Sequence, residues 1–190
     1  ITMNEISPAV LVFAGPNGSG KSTVTKGFNI IGEYINADEI KKKEKCTDLE
    51  AAVIATSLRE NAIRNRMDFT FETVLSTPRN VELLRNAKKV GYWIEVVFVL
   101  TADAEINVSR VKDRVRKGGH DVPAEKVRSR YKRSLANLSE LLKFCDVVNV
   151  VDNSTDKAEL IISMKDRKIV IHKCKNWDEE KLQRLLEGNL

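Results

Sequence analysis

Cysteine, histidine and long apolar runs are all scarce in this sequence, and each scarcity excludes something. The three cysteines, Cys46, Cys145 and Cys174, are odd in number and far apart, so they build neither a disulfide framework nor a CxxC site. Reduced thiols in a cytoplasmic protein are the expected state. No histidine cluster stands near them, which leaves no ligand set for a structural metal. Apolar runs such as Trp93–Leu100 fall far short of the ~20 residues that a membrane-spanning helix needs. The N-terminal stretch lacks the long apolar region of a signal peptide. Repeats, low-complexity segments and long linkers are absent too. With 190 residues and 42% hydrophobic content, the chain is long enough for one proper core, and a single domain over residues 1–190 is expected. Charge is plentiful, with 32 basic against 27 acidic residues and a net charge of +5. The two signs are interspersed rather than gathered in a tail, which suits a cationic pocket for phosphates better than a nucleic-acid surface.

What is present alternates strand with helix. "PAVLVFAG" is a continuous apolar run closed by glycine, the pattern of a strand buried on both faces. Runs of the same character recur at 33–36, 69–72, 92–100 and 146–151, with helical patterns at about 48–66, 79–90, 103–117 and 124–143 between them. Such alternation implies βαβ crossovers, and so an α/β three-layer sandwich on a mainly parallel five-stranded sheet. After Asp152 the pattern changes. "ELIISMKDRKIVIHK" reads as an antiparallel hairpin turning at Lys165 to Arg167, and "DEEKLQRLLEGN" as a last helix, so that residues of about 158–190 form a C-terminal addition.

The strand "PAVLVFAG" runs straight into Gly15, Pro16, Asn17, Gly18, Ser19, Gly20, Lys21, Ser22 and Thr23, a full GxxxxGK[ST] match with a helix expected from near Gly20. Glycines let successive backbone N–H groups converge on one point, and a following helix adds the positive end of its dipole. This concavity binds the polyphosphate of ATP. Lys21 bridges the terminal phosphates, and the Ser22 hydroxyl is a ligand for Mg²⁺.

Downstream residues decide which phosphate chemistry is meant, because the loop alone serves kinases, switches and transporters alike. Neither an LSGGQ run nor an NKxD motif occurs. Asp38, in "INADEI", stands at the C-terminal end of the second strand, where open α/β folds place ligands. A carboxylate there accepts a proton from a substrate hydroxyl and helps to hold Mg²⁺. Its competing role is a helix N-cap. Glu72, ending the third strand at the same edge, makes with Thr73 and Ser76 a polar cluster for the acceptor, unless it merely emerges into solvent. Arg110 and Arg114 share a helix face. Gly118-Gly119 break that helix, and Pro123 opens another carrying Arg128, Arg130, Lys132 and Arg133. Two basic helices about a glycine hinge, over about 110–133, describe a lid that brings arginines onto a transferring phosphoryl group and excludes water. Asn153, after the fifth strand, is placed to contact the adenine base, although a plain turn explains it equally well.

"GPNGSGKST", "INADEI", "FETVLS", "RVKDRVRKGGHDVP", "RYKRSLANL" and "VDNS" together resemble the zeta-toxin family of P-loop kinases, and more narrowly its short bacterial branch. The resemblance spans about residues 9–154. It implies a nucleotide-kinase-like fold, ATP with Mg²⁺ as phosphoryl donor, and a catalytic aspartate at Asp38. It also implies a nucleotide sugar of the UDP-N-acetylglucosamine kind as acceptor, and a small helical antitoxin as partner. The lid arginines expected to act are Arg110, Arg114 and Arg130, with Arg133 a further candidate. Two departures stand out: the chain is shorter than those toxins, and Glu72-Thr73-Val74 lacks the glycine they carry between glutamate and threonine. On the same fold, a housekeeping metabolite kinase and a regulatory or nucleic-acid-binding ATPase are the alternatives.

Overall fold

The structure, a computed structural model, describes residues 7–190. Residues 1–6, part of the stretch read above as lacking a leader, lie outside it. The elements run β1 (Ala9–Ala14), α1 (Lys21–Val24), β2 (Glu33–Ile35), α2 (Ala37–Glu44), α3 (Asp48–Arg64), β3 (Phe69–Thr73) and α4 (Pro78–Lys89). They continue with β4 (Trp93–Leu100), α5 (Ala104–Arg116), α6 (Ala124–Leu142), β5 (Val147–Asp152), β6 (Glu159–Lys165), β7 (Lys168–Ile171) and α7 (Glu179–Glu187).

The sheet has seven strands in the order β2-β3-β1-β4-β5-β6-β7. The first five are mutually parallel, as the buried apolar runs require. The expected addition at the C-terminus is corrected in one respect: the hairpin joins the main sheet, with β6 antiparallel to β5 and β7 antiparallel to β6. Its turn residues Asp166 and Arg167 both adopt positive φ, 50° and 66°. That pair of left-handed residues is the two-residue turn whose twist matches a hairpin.

Alternate residues of β1 serve two faces. Val10, Val12 and Ala14 belong to the main core, with Leu84 of α4, Leu135 and Leu138 of α6 and Leu185 of α7. Leu11 and Phe13 join Val97 and Val99 on the other face, under Val24, Ile31 and Tyr34. β1 lies between β3 and β4, and the chain fills the β3 side first and then crosses back to the β4 side. That reversal opens a crevice at the C-terminal edge of the sheet, where the loop after β1 lies.

Two expectations change here. The helix after the phosphate loop is only one turn, Lys21–Val24, followed by a 3-10 turn over Thr25–Gly27. A single turn sums few peptide dipoles, so the converging N–H groups of the loop carry the anion affinity. The stretch 110–133 is also not one free lid. α6 is packed into the molecule through Val127, Tyr131 and Leu135, all buried, and Tyr131 donates its hydroxyl to the Thr101 carbonyl at 2.6 Å. The basic residues of α6 stand on a fixed helix, leaving the end of α5 and residues 117–121 as the more exposed part, while Val122 packs with Val108, Val111 and Val127.

Candidate active site

The phosphate loop is held open from below. Gly15 and Gly18 have φ of +137° and +77°, and a Cβ on Gly18 would come within 2.5 Å of the Asn107 carbonyl oxygen. Only glycine fits both the dihedral and the space. Asn107, on the first turn of α5, donates its amide to the Asn17 carbonyl at 2.7 Å. Asn153 does the same for the Ser19 carbonyl at 2.8 Å, so its side chain braces the loop. Arg130 reaches across from α6 to Asn17 Oδ1 at 3.2 Å. Gly15, Pro16 and Ser19 lie within the turn, where Lys21 Nζ donates to the Gly15 and Pro16 carbonyls at 2.7 and 3.2 Å.

Lys21 is 7% exposed. Burial lowers its pKa from 10.5 to about 8, against the opposing pull of the Glu72 and Asp38 carboxylates and with a further push from Arg114. Glu72 Oε1 stands 4.0 Å from Lys21 Nζ. The four charges therefore sense one another around one cavity of about 510 Å³, lined by Asn17, Gly18, Gly20, Lys21, Ser22, Thr23, Asp38, Glu72, Arg110, Arg114 and Asn153 among others. Eleven of the residues named from the sequence meet in this one space, which has the volume and the donors for a triphosphate.

Asp38 is not the cap of α2. Asn36 is, with its Oδ1 accepting from the Asp38 and Glu39 N–H groups at 2.8 and 3.4 Å. The Asp38 carboxylate in the first turn of α2 is left to face the cavity. Glu72 is likewise not spilling into solvent. Its Oε2 accepts from the Tyr34 hydroxyl at 3.3 Å and from Asn36 Nδ2 at 3.4 Å.

The segment after Glu72 is rigid for a reason the sequence hid. Leu75 is buried yet has φ of +55°, a strained dihedral for a branched residue. Thr73 Oγ1 accepts from the Leu75 N–H at 2.9 Å and from Asn80 Nδ2 at 2.8 Å. Ser134 and Asn137 of α6 donate to the Val74 and Leu75 carbonyls, both at 2.8 Å. Thr73 thus spends its hydroxyl on the loop itself, and Ser76 lines neither this cavity nor the one beside it.

Of the arginines, Arg110 and Arg114 line the cavity. Arg110 is fixed by the Asn153 carbonyl at 2.7 Å, whereas among the described residues Arg114 holds only the His120 carbonyl, at 2.7 Å. Arg133 is exposed and lines none of the cavities described. Arg128 pairs with Glu105 and Glu125 instead, tying α6 to α5. The glycine pair closes α5: Gly118 and Gly119 donate to the Val115 and Arg114 carbonyls at 2.9 Å each, with Gly118 at positive φ. This is a helix stop before it is a hinge. The sequence did not single out Tyr34, Asn36 or Asn107. Only the position of Asn36, directly after a strand and before "ADEI", carried a signal.

Among the described residues no group of three or more His, Cys, Asp or Glu could hold a metal. Ser22 and Asp38, both on the cavity, are the oxygen donors that suit Mg²⁺, an ion held by one or two carboxylates together with substrate phosphates.

The family model for zeta toxin matches residues 29–166, more than half of the chain. The chain belongs to the zeta toxin family. The matched segment begins after the phosphate loop, so the loop stands on its own geometry. A protein of Haemophilus influenzae is 30% identical over 128 residues, covering 64% of this chain and 91% of that protein. The fold of this zeta-toxin-family chain is shared by the AvrRxo1-ORF1:AvrRxo1-ORF2 complex, including the form with ATP. The TM-score is 0.71 at 13% identity, over 98% of this chain and 66% of that one. A protein of the PezAT toxin-antitoxin system of Streptococcus pneumoniae gives 0.55 at 15% identity, over 98% of this chain and 85% of that one. These likenesses agree on a P-loop kinase fold. No helix among the described residues is long and apolar enough to cross a membrane.

Proposed function

We propose that this chain transfers the γ-phosphoryl group of ATP to a hydroxyl of a small acceptor, a nucleotide sugar of the UDP-N-acetylglucosamine kind, as the toxin of a toxin–antitoxin pair. The observation that carries the reading is the meeting of Asp38 and Glu72 with Lys21, Ser22 and two arginines around one cavity. Asp38 accepts the proton of the attacking hydroxyl, and its exposed position leaves room for that hydroxyl. Glu72, held by Tyr34 and Asn36, orients the acceptor. Lys21, Arg110 and Arg114 balance charge on the phosphates. Ser22 and Asp38 would hold Mg²⁺, which would supply further positive charge there. An antitoxin as partner, and a cytoplasmic site of action, belong to the same proposal.

The test is a search for a phosphorylated product in cells expressing the parent chain or its Lys21→Ala variant, followed by purified protein with ATP and UDP-N-acetylglucosamine. A product made only by the parent, together with growth arrest relieved by a small co-expressed neighbour, supports the proposal. ATP turnover with no phosphorylated acceptor contradicts it.

A further inference from the structure

Beside the acid pair lies a buried cation with no ion-pair partner among the described residues. Arg59, on α3, is 6% exposed. It takes part in none of the ion pairs found among the described residues. One Nη donates to Asn80 Oδ1 at 3.1 Å, and the guanidinium lies over the Phe71 ring, 4.6 Å from its centre. The Nε hydrogen meets no acceptor among the described residues. Burial lowers the pKa to about 10, so the group is still charged at neutral pH. A neutral amide and a ring face offset only part of the cost of withdrawing a guanidinium from water.

Its position indicates the missing counter-charge. Two cavities of about 290 and 380 Å³ adjoin at Arg59, since Thr56, Arg59, Arg79 and Asn80 line both. The smaller one also takes in Asp38 and Glu72, which line the phosphate-loop cavity as well. The larger one takes in Glu60, Glu82 and Arg64 as well, so acids line both cavities, and Arg59 and Arg79 stand where the two meet. A bound molecule with its hydroxyl near Asp38 and an anionic group farther along would meet both Asp38 and these arginines. We infer that Arg59 and Arg79 form an anion subsite that takes a phosphate or carboxylate group, with Thr56 and Asn80 as flanking hydrogen-bonding side chains. Guanidiniums suit both anions, because their forked N–H groups match two oxygens at once. That this anion belongs to the phosphoryl acceptor rests on the kinase reading above; the subsite itself rests on Arg59.

Binding is measured without turnover, by calorimetry on Lys21→Ala protein with inorganic phosphate, glucose 1-phosphate, glucuronate and glucose as probes. The charged sugars bind at least about tenfold more tightly than glucose, and the tighter of the two names the anion. Adding Arg59→Lys, which keeps the charge but loses the fork, weakens the charged probes about tenfold. Arg79→Ala, at an exposed position, weakens them also and decides the matter if the Arg59 variant fails to fold. Equal binding of glucose and the charged sugars, or unchanged affinity in both arginine variants, overturns the inference. Anion binding that responds to Arg59 and Arg79 while no acceptor is ever phosphorylated sinks the kinase reading and leaves the subsite standing. Phosphorylation of neutral acceptors as efficient as that of charged ones does the reverse.

Discussion

Asn36 gives one end of its amide to α2 and the other to Glu72: Oδ1 accepts from the Asp38 N–H at 2.8 Å while Nδ2 donates to Glu72 Oε2 at 3.4 Å. One side chain therefore sets both the start of the helix that carries Asp38 and the attitude of the second carboxylate.

Asn36→Asp separates the two tasks. Aspartate caps as well as asparagine, so the melting temperature should stay close to that of the parent, whereas Asn36→Ala loses about 1 kcal/mol of cap. Both variants remove the donor to Glu72, and Asn36→Asp adds a like charge beside it. The expected outcome is a raised KM for the acceptor in both, larger in Asn36→Asp despite its intact cap, with the KM for ATP little changed. Parent-like acceptor kinetics in Asn36→Asp would show that Asn36 does not position Glu72.

The buried Lys21 gives a pH signature. Its folded-state pKa of about 8 lies below the usual 10.5, so between these values the unfolded chain binds more protons and stability rises with pH. Below pH 8 the full cost of burying the charge applies, on the order of 3 kcal/mol. Lys21→Met should therefore melt higher than the parent at pH 7, with the gap narrowing from pH 8 toward pH 10.5. ATP affinity of the parent should fall over the same range as the ammonium is lost. Parallel melting curves for the two proteins across that range would refute the assigned burial cost.

Gly18 is the tightest point of the loop against α5. Gly18→Ala places a Cβ 2.5 Å from the Asn107 carbonyl oxygen at a φ of +77°, which costs about 1–3 kcal/mol through strain alone. It should weaken ATP binding at least about tenfold, the equivalent of 1.4 kcal/mol. Gly27→Ala, where a Cβ meets nothing within 4 Å, should bind ATP like the parent. Equal affinities for the two variants in a titration would contradict the proposed fit between the loop and α5.

Much of this site was legible in the sequence, for identifiable physical reasons. A phosphate loop must be local, because its N–H groups converge only if they are consecutive, so "GPNGSGKST" reveals itself. Asp38, Glu72 and the arginines of α5 were legible because parallel strands deliver their C-terminal ends to one edge. The membership of β6 and β7 in the main sheet was not, since a hairpin pattern is the same whether its outer edge is paired or free. Nor was the single turn of α1, because a loop-helix motif carries no length. Arg59 looks like any surface arginine in "SLRENA"; only packing over Phe71 distinguishes it. The second half of the expected lid failed for a related reason. Its basic residues are visible, but the apolar face formed by Val127, Tyr131 and Leu135, which locks α6 into the molecule, is interleaved with those charges in the sequence.

The central claim is that Asp38 acts on the acceptor hydroxyl beside the gripped phosphates. Single-turnover phosphoryl transfer by Asp38→Ala protein, with ATP affinity measured in parallel, tests it most directly. The transfer rate should fall by about 100-fold or more, well beyond any change in ATP dissociation. Transfer at the parental rate would contradict it.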